Sequence, residues 1–371
     1  LRFANNAGVA NGGGVVASGA GAYYARIDND FINQTDAKNR LTVISNDGDL
    51  TQNTESDLEL DLRGLSQDKW VTFVGANANG AASAGVMASN RIVVDDISAN
   101  QNMILNGGDT DVRANTTAGY VAGNNNVYEV RNTAHVSIND LAQTSNFGQI
   151  NFTNDQAIAQ TLGLTLNNTV VEALVDASST AATVATQEIL NIVATDNVGI
   201  ASALNVDARQ VTGFLGLNVT GSVAGNDVIT LNSNVGGSAS TLNLGASAAD
   251  RINWTGAATT VVIEHTAGAP TFLNNQHSFQ TGTVITSHNA TNVEIFDITG
   301  MTYTNSIIDL SNALQAASTV LGGAGADAIT GSGNADSLVG GAGNDAINGG
   351  GGLGNDTING GTGVDNLTGG G

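Results

Sequence analysis

The chain has 371 residues and a formal net charge of −22, from 33 acidic against 11 basic side chains. That length allows two or three domains, and that charge argues against nucleic-acid binding, which needs basic patches. Cysteine is absent, so disulfides, thiolate metal sites and cysteine nucleophiles are excluded.

Aromatic residues make up only 4% and the single proline is Pro270. Ala, Thr, Asn, Gly, Val and Ser dominate, which suits extended β structure with small cross-strand contacts. After Arg251 no basic residue follows, while Glu264, Glu294, Asp297, Asp309, Asp327, Asp336, Asp345, Asp356 and Asp365 remain. Such an excess asks for a cation. No stretch of about 18 consecutive apolar residues occurs, so no transmembrane helix is expected.

Residues 1–145 read as an N-terminal β domain of unassigned role. Strands are predicted at Arg40–Ser45, Asp57–Arg63, Trp70–Val74 and Arg91–Val94, from alternation or β-branched runs. In Asp57–Arg63, period two puts Leu58, Leu60 and Leu62 on one face. Asn-, Gly- and Asp-rich turns separate these strands. Asp47 with Asp49, and Asp109 with Asp111, are read as plain turns rather than calcium loops, because Asp is a default turn residue.

Residues 146–320 read as a β-rich, solenoid-like or sandwich-like domain of short Thr-, Val- and Leu-rich strands. Helices are expected at Val170–Ala177, with Val170, Val171, Leu174 and Val175 on one side, and more weakly near Asp155–Gln160. Ser222–Thr230 (SVAGNDVIT) and Gly245–Asn253 (GASAADRIN) echo, in degenerate form, what closes the chain.

Residues 321–371 hold nonapeptides: GGAGADAIT from Gly322, GSGNADSLV from Gly331, GGAGNDAIN from Gly340, GGLGNDTIN from Gly351 and GGTGVDNLT from Gly360. Gly349 and Gly350 interrupt the register. Most frames fit G-G-x-G-x-D-x-U-x, with U aliphatic. The glycines permit positive φ and close approach to an ion, and the Asp supplies charge. Ile329, Leu338, Ile347, Ile358 and Leu367 would sit on short inward-pointing strands. A flexible linker has no reason to hold Asp and an aliphatic in fixed phase.

This pattern resembles the calcium-binding repeat of RTX proteins. The resemblance implies a parallel β-roll in which loops two repeats apart share Ca²⁺, so that Asp327 faces Asp345, Asp336 faces Asp356 and Asp345 faces Asp365. It implies ligands from Asp327, Asp336, Asp345, Asp356 and Asp365, and from the carbonyls of Gly323, Gly325, Gly341, Gly343, Gly352, Gly354, Gly361 and Gly363. Hard calcium prefers such oxygen donors, and the array is expected to order only when it binds. Phe147–Asp176 and Asn292–Gly300 also resemble stretches of large bacterial RTX surface proteins, the second being similar to the strand preceding arrays in S-layer proteins and adhesins. The resemblance further implies type I secretion through a C-terminal signal, which is absent from the sequence as given.

No catalytic constellation emerges. His135, His265, His277 and His288 form no HExxH, and neither G-x-S-x-G nor a Walker loop occurs. Glu264 beside His265 is explained by strand alternation, and Glu172 and Glu188 have no legible partner. The expectation is therefore an all-β, non-enzymatic, secreted calcium-dependent protein of the bacterial cell surface. It would be an S-layer or fibre subunit that self-associates, with calcium bridging to cell-surface polysaccharide as a further contact. An adhesin for a glycan or foreign surface is the alternative, followed by an enzyme with an RTX tail.

Overall fold

The computed structural model of the chain describes residues 23–33, 40–45, 58–66, 68–75, 90–95, 102–108, 126–132, 135–175, 189–197, 199–213, 215–232, 240–256, 261–265, 276–281, 288–302, 305–311 and 317–370. They fall into two compact units. The first is Leu1–Gln156 with Thr169–Ala177 and Leu190–Val193; the second is Ala157–Asn168 with Ser178–Ile189 and Ala194–Gly371.

The first unit begins with β1 (Tyr23–Arg26) and a five-residue helix α1 (Asn29–Asn33), followed by β2 (Arg40–Ser45), β3 (Leu58–Asp61), β4 (Trp70–Gly75), β5 (Arg91–Val94) and β6 (Met103–Asn106). It continues with β7 (Val127–Arg131), β8 (His135–Val136), β9 (Thr144–Ser145) and β10 (Gln149–Asn154). Successive strands build two parallel ladders, β1-β3-β5-β7-β10 and β2-β4-β6-β9. In-register pairing stacks Leu60, Ile92, Tyr128 and Ile150 in one buried column, and Val43, Phe73 and Leu105 in the other. Each such side chain contributes about 1.5–3 kcal/mol when fully buried. The expected Leu58, Leu60 and Leu62 face is buried.

Charge is handled locally in this unit. Asp61 is 1% exposed and takes Arg63 Nη2 at 2.8 Å and the Tyr24 hydroxyl at 2.9 Å. Burial pushes its carboxyl up, but the Arg63 contacts win and hold it at about 2. Glu129 is fully buried between Arg91 and Arg131.

In sequence, β11 (Thr161–Asn167), α2 (Asn168–Val175) and β12 (Ile189–Asp196) follow. Helix α2 buries Val170, Val171, Leu174 and Val175, the face its spacing predicts. The second expected helix does not form: residues 155–160 are irregular, with a bend at 156–158. Asn132 Oδ1 accepts the Asp155 N–H and Asn154 Oδ1 that of Gln156. Helix α1, which no periodicity announced, is nucleated by Asp28 Oδ1 accepting the Phe31 N–H at 2.9 Å.

The second unit continues with β13 (Ala203–Gln210), β14 (Gly216–Thr220), β15 (Val228–Asn232), β16 (Thr241–Asn243), β17 (Arg251–Gly256), β18 (Val261–His265), β19 (Gln276–Thr281) and β20 (His288–Thr291). Then come β21 (Ile295–Met301), β22 (Ile307–Asp309), β23 (Thr319–Leu321), β24 (Ala328–Thr330), β25 (Ser337–Ala342), β26 (Ala346–Asn348), β27 (Thr357–Thr362) and β28 (Asn366–Thr368). One sheet runs β11-β13-β15-β17-β21-β23-β25-β27. The other runs β14-β16-β20-β19-β18-β22-β24-β26-β28. All described pairs are parallel except those of the β18-β19-β20 insertion, which are antiparallel.

The unit is therefore a parallel coil, all-β as expected and a solenoid rather than a sandwich, whose sheets are antiparallel. Register lines up Leu164, Val206, Ile229, Ile252, Phe296, Val320, Leu338 and Ile358 across successive turns. Opposite them stand Ile263, Ile308, Ile329, Ile347 and Leu367. Both columns pass residue 320 unbroken, so the sequence change there alters loop chemistry and leaves the coil continuous.

Candidate metal centre

The residue immediately before each strand of this coil carries the site. Asp327, Asp336, Asp345, Asp356 and Asp365 precede β24, β25, β26, β27 and β28. Ile329, Leu338 and Ile347, two positions after their Asp, are buried and fix it; Ile358 is half-buried and Leu367 48% exposed, short of the inward burial expected of them. The carboxylate then lies where the next turn's backbone passes. The Asp327 N–H donates to Asp345 Oδ1 at 2.9 Å, that of Asp336 to Asp356 Oδ1 at 3.0 Å, and that of Asp345 to Asp365 Oδ1 at 3.0 Å. These are the pairs that the family resemblance implies. Gly349 and Gly350 lengthen one turn, so separations grow from 18 to 20 residues while β25 and β27 stay in register.

The second carboxylate oxygens turn into the loops. Asp327 Oδ2 accepts the Gly323 N–H at 3.1 Å, and Asp336 Oδ2 that of Ser332 at 2.6 Å. Asp345 Oδ2 is buried and has no hydrogen-bond partner. Burial, then the charges of Asp327 and Asp365, push the Asp345 carboxyl above the usual carboxylate range.

Backbone carbonyls line the same loops. A Cβ on Gly341, Gly343, Gly361 or Gly363 would lie 2.3, 1.8, 1.9 or 1.6 Å from the carbonyl oxygen of Gly323, Gly325, Gly341 or Gly343. Gly343, at φ +143°, shows why the fourth position of that repeat is glycine, whereas Asn334 fills it in the second repeat. In the other series Gly352 sits over the Gly333 carbonyl and Gly354 over Asn334. Among the described residues no three Asp, Glu or His side chains cluster around a metal position. One carboxylate per repeat means that the remaining donors must be carbonyls. Oxygen donors only, a buried carboxylate oxygen without a partner and loops that admit no Cβ fit a hard divalent cation.

Sequence reasoning missed the serines. Ser306 and Ser318, just before β22 and β23, donate their N–H groups to Asp327 and Asp336 Oδ1 at 2.8 Å each. Ser332 Oγ adds contacts to Asp336. Upstream, Ser202, Asp227, Ser240, Asp250 and Glu294 occupy the same slot before β13, β15, β16, β17 and β21. The signal was available as Ser, Asp or Glu two positions before the inward residue of these strands.

Outside the coil, Asp47, Asp49, Asp109, Asp111 and Glu188 lie beyond the described residues. His135 is exposed on β8, and Glu172 is half-buried on α2. Glu264 on β18 is in register with Ser278 on β19 and Asp309 on β22.

Residues 321–353 and 351–371 match the family model of the RTX calcium-binding nonapeptide repeat, a unit of 4 copies. No curated protein and no solved structure matches the chain.

Proposed function

From a chain whose C-terminal segment is an RTX repeat array with Ca²⁺ as its ion, we propose a secreted, calcium-dependent structural protein of the bacterial cell surface. It is an S-layer or fibre subunit that assembles with copies of itself. The supporting observation is the pair of aliphatic columns that run from the middle of the chain into the array. Calcium bound there stiffens the end of a long coil and does not merely order a tethered tail. The cysteine-free, Ala/Thr/Asn-rich composition and the S-layer-like segment on β21 favour a scaffold over an enzyme. RTX repeat proteins are typically secreted. Export by a type I route, with folding held back at low cytosolic calcium, belongs to the same reading. Extracellular calcium modules bind at about 10⁻⁴–10⁻³ M, which suits such a gate. Calcium bridging to anionic polysaccharide would anchor the assembly.

The test is a calcium titration that follows far-UV circular dichroism and particle size together. Gain of β signal with growth into large ordered particles is the expected result. Ordering of a protein that stays monomeric at millimolar calcium and high concentration would refute self-assembly and favour an adhesin, to be examined by glycan retention with and without residues 1–145. No change in either signal would overturn calcium gating itself.

A further inference from the structure

Outside the matched segment, the same slot turns acidic on three successive turns of one sheet: Asp227 before β15, Asp250 before β17 and Glu294 before β21. Asp227 and Asp250 are fully buried. They are wired like the array. The Leu204 N–H donates to Asp227 Oδ1 at 2.6 Å, the Asp227 N–H to Asp250 Oδ1 at 2.8 Å, and the Asp250 N–H to Glu294 Oε2 at 3.0 Å. Asp227 Oδ2 takes the Ser222 N–H at 2.8 Å, while Asp250 Oδ2 is buried with no hydrogen-bond partner, as is Asp345 Oδ2. No Lys or Arg among the described residues pairs with either carboxylate; nearby Arg251 is committed to Asp297.

The loops match as well. A Cβ on Gly221 would lie 1.9 Å from Asp227 Oδ2, as one on Gly340 would lie 2.2 Å from Asp345 Oδ2. Gly245, at φ +98°, passes so close to the Ser222 carbonyl that a Cβ would sit 1.9 Å from its oxygen. Two buried carboxylates on adjacent turns, one with an unpartnered oxygen, leave negative charge that neither solvent nor a side-chain cation offsets.

We infer that Asp227 and Asp250, with the loop oxygens around Ser222 and Ser247, form a further divalent-cation site that takes Ca²⁺ in the middle of the coil. The donors are carboxylate, hydroxyl and carbonyl oxygens, the set that hard calcium selects over softer metals. Burial pushes the Asp227 carboxyl up to about 7 and raises that of Asp250, in keeping with a pair lacking a counter-ion.

Serine supplies a fold-compatible test, because Ser202, Ser240, Ser306 and Ser318 occupy this slot natively. The full chain and its Asp227→Ser/Asp250→Ser and Asp345→Ser/Asp365→Ser variants would be compared by equilibrium dialysis against calcium. Terbium luminescence sensitised through Trp254, on β17 four residues after Asp250, gives a local readout. The mid-coil variant is expected to keep its far-UV spectrum, bind fewer ions than the parent and lose the Trp254-sensitised signal. The array variant is expected to lose different ions and keep that signal. Unchanged stoichiometry and luminescence in the mid-coil variant would overturn the site, even with the array binding normally. Should the double variant unfold, Asp250→Ser alone decides between the same outcomes. Full retention of the ions in the Asp345→Ser/Asp365→Ser variant would instead count against the array reading.

Discussion

Replacing Asp345 by serine should change the sign of its effect with calcium. Serine is native to this slot at Ser306 and Ser318, and elsewhere its hydroxyl takes the neighbouring turn's amide: the Leu217 N–H reaches Ser240 Oγ at 3.1 Å. The substitution is expected to keep the backbone contact that Asp345 Oδ1 makes to the Asp327 N–H, following Ser240 and not Ser318, whose hydroxyl is buried without a partner. What disappears is the buried, unpartnered Oδ2 and its repulsion with Asp327 and Asp365. An unsatisfied buried polar atom costs about 1–3 kcal/mol, so in chelator the variant should be more stable by about that amount. With calcium the balance reverses. A contact to a charged group contributes about 1.5–3 kcal/mol, and losing one should weaken binding about 10- to 150-fold. Isothermal titration measures the affinity, and amide hydrogen exchange across β24–β26 measures order with and without calcium. Equal destabilisation in both conditions would refute the reasoning, since it would make Asp345 a packing residue. Leu338→Ala is the control: its side chain is fully buried, and it should cost about 2–5 kcal/mol in calcium and bring no gain in chelator.

Three other outcomes follow. Asp61, held at about 2 by Arg63, contributes stability above pH 4 that is lost as pH falls toward 2. After allowing for solvent screening this is about 1–2 kcal/mol, and Asp61→Asn should flatten that limb of an acid-unfolding curve. Asp227, pushed up to about 7 by burial, works the other way. Without calcium, stability should fall as pH rises from about 4 through 7, by about 2–4 kcal/mol, and calcium should suppress the slope; a flat calcium-free profile in thermal melts would contradict it. Gly343→Ala places a methyl 1.8 Å from the Gly325 carbonyl oxygen at φ +143°. It should abolish calcium-induced ordering of the array, as followed by circular dichroism.

The array was legible because its loop and strand obey a strict period, so Asp and aliphatic keep phase through Gly331–Val339, where two glycines are lost. Strands β2 and β5 were legible from β-branched runs, and the buried face of α2 from its spacing. Degenerate turns were harder to read. The shared feature there is a polar residue two positions before an inward aliphatic, as in Ser202 before Leu204 and Asp250 before Ile252. Ser, Asp and Glu fill that slot interchangeably, which hides it from a search for repeated letters. Outside the array, where the family resemblance implied a parallel roll, the sense of pairing was not legible. Period two is the same in parallel and antiparallel strands, so TTVVIEH gave no warning that β18 pairs antiparallel with β19.

Mechanically, a ladder in which each turn touches only its neighbours is loaded one rung at a time when pulled from its end. Its resistance is then set by the weakest turn rather than by the sum of all turns. Carboxylate pairs across adjacent turns bind the very rungs that would separate first, so an ion at each pair acts as a ratchet against peeling. Tensile strength of the coil would accordingly track external calcium, stiff where the ion is plentiful and easily unravelled where it is scarce.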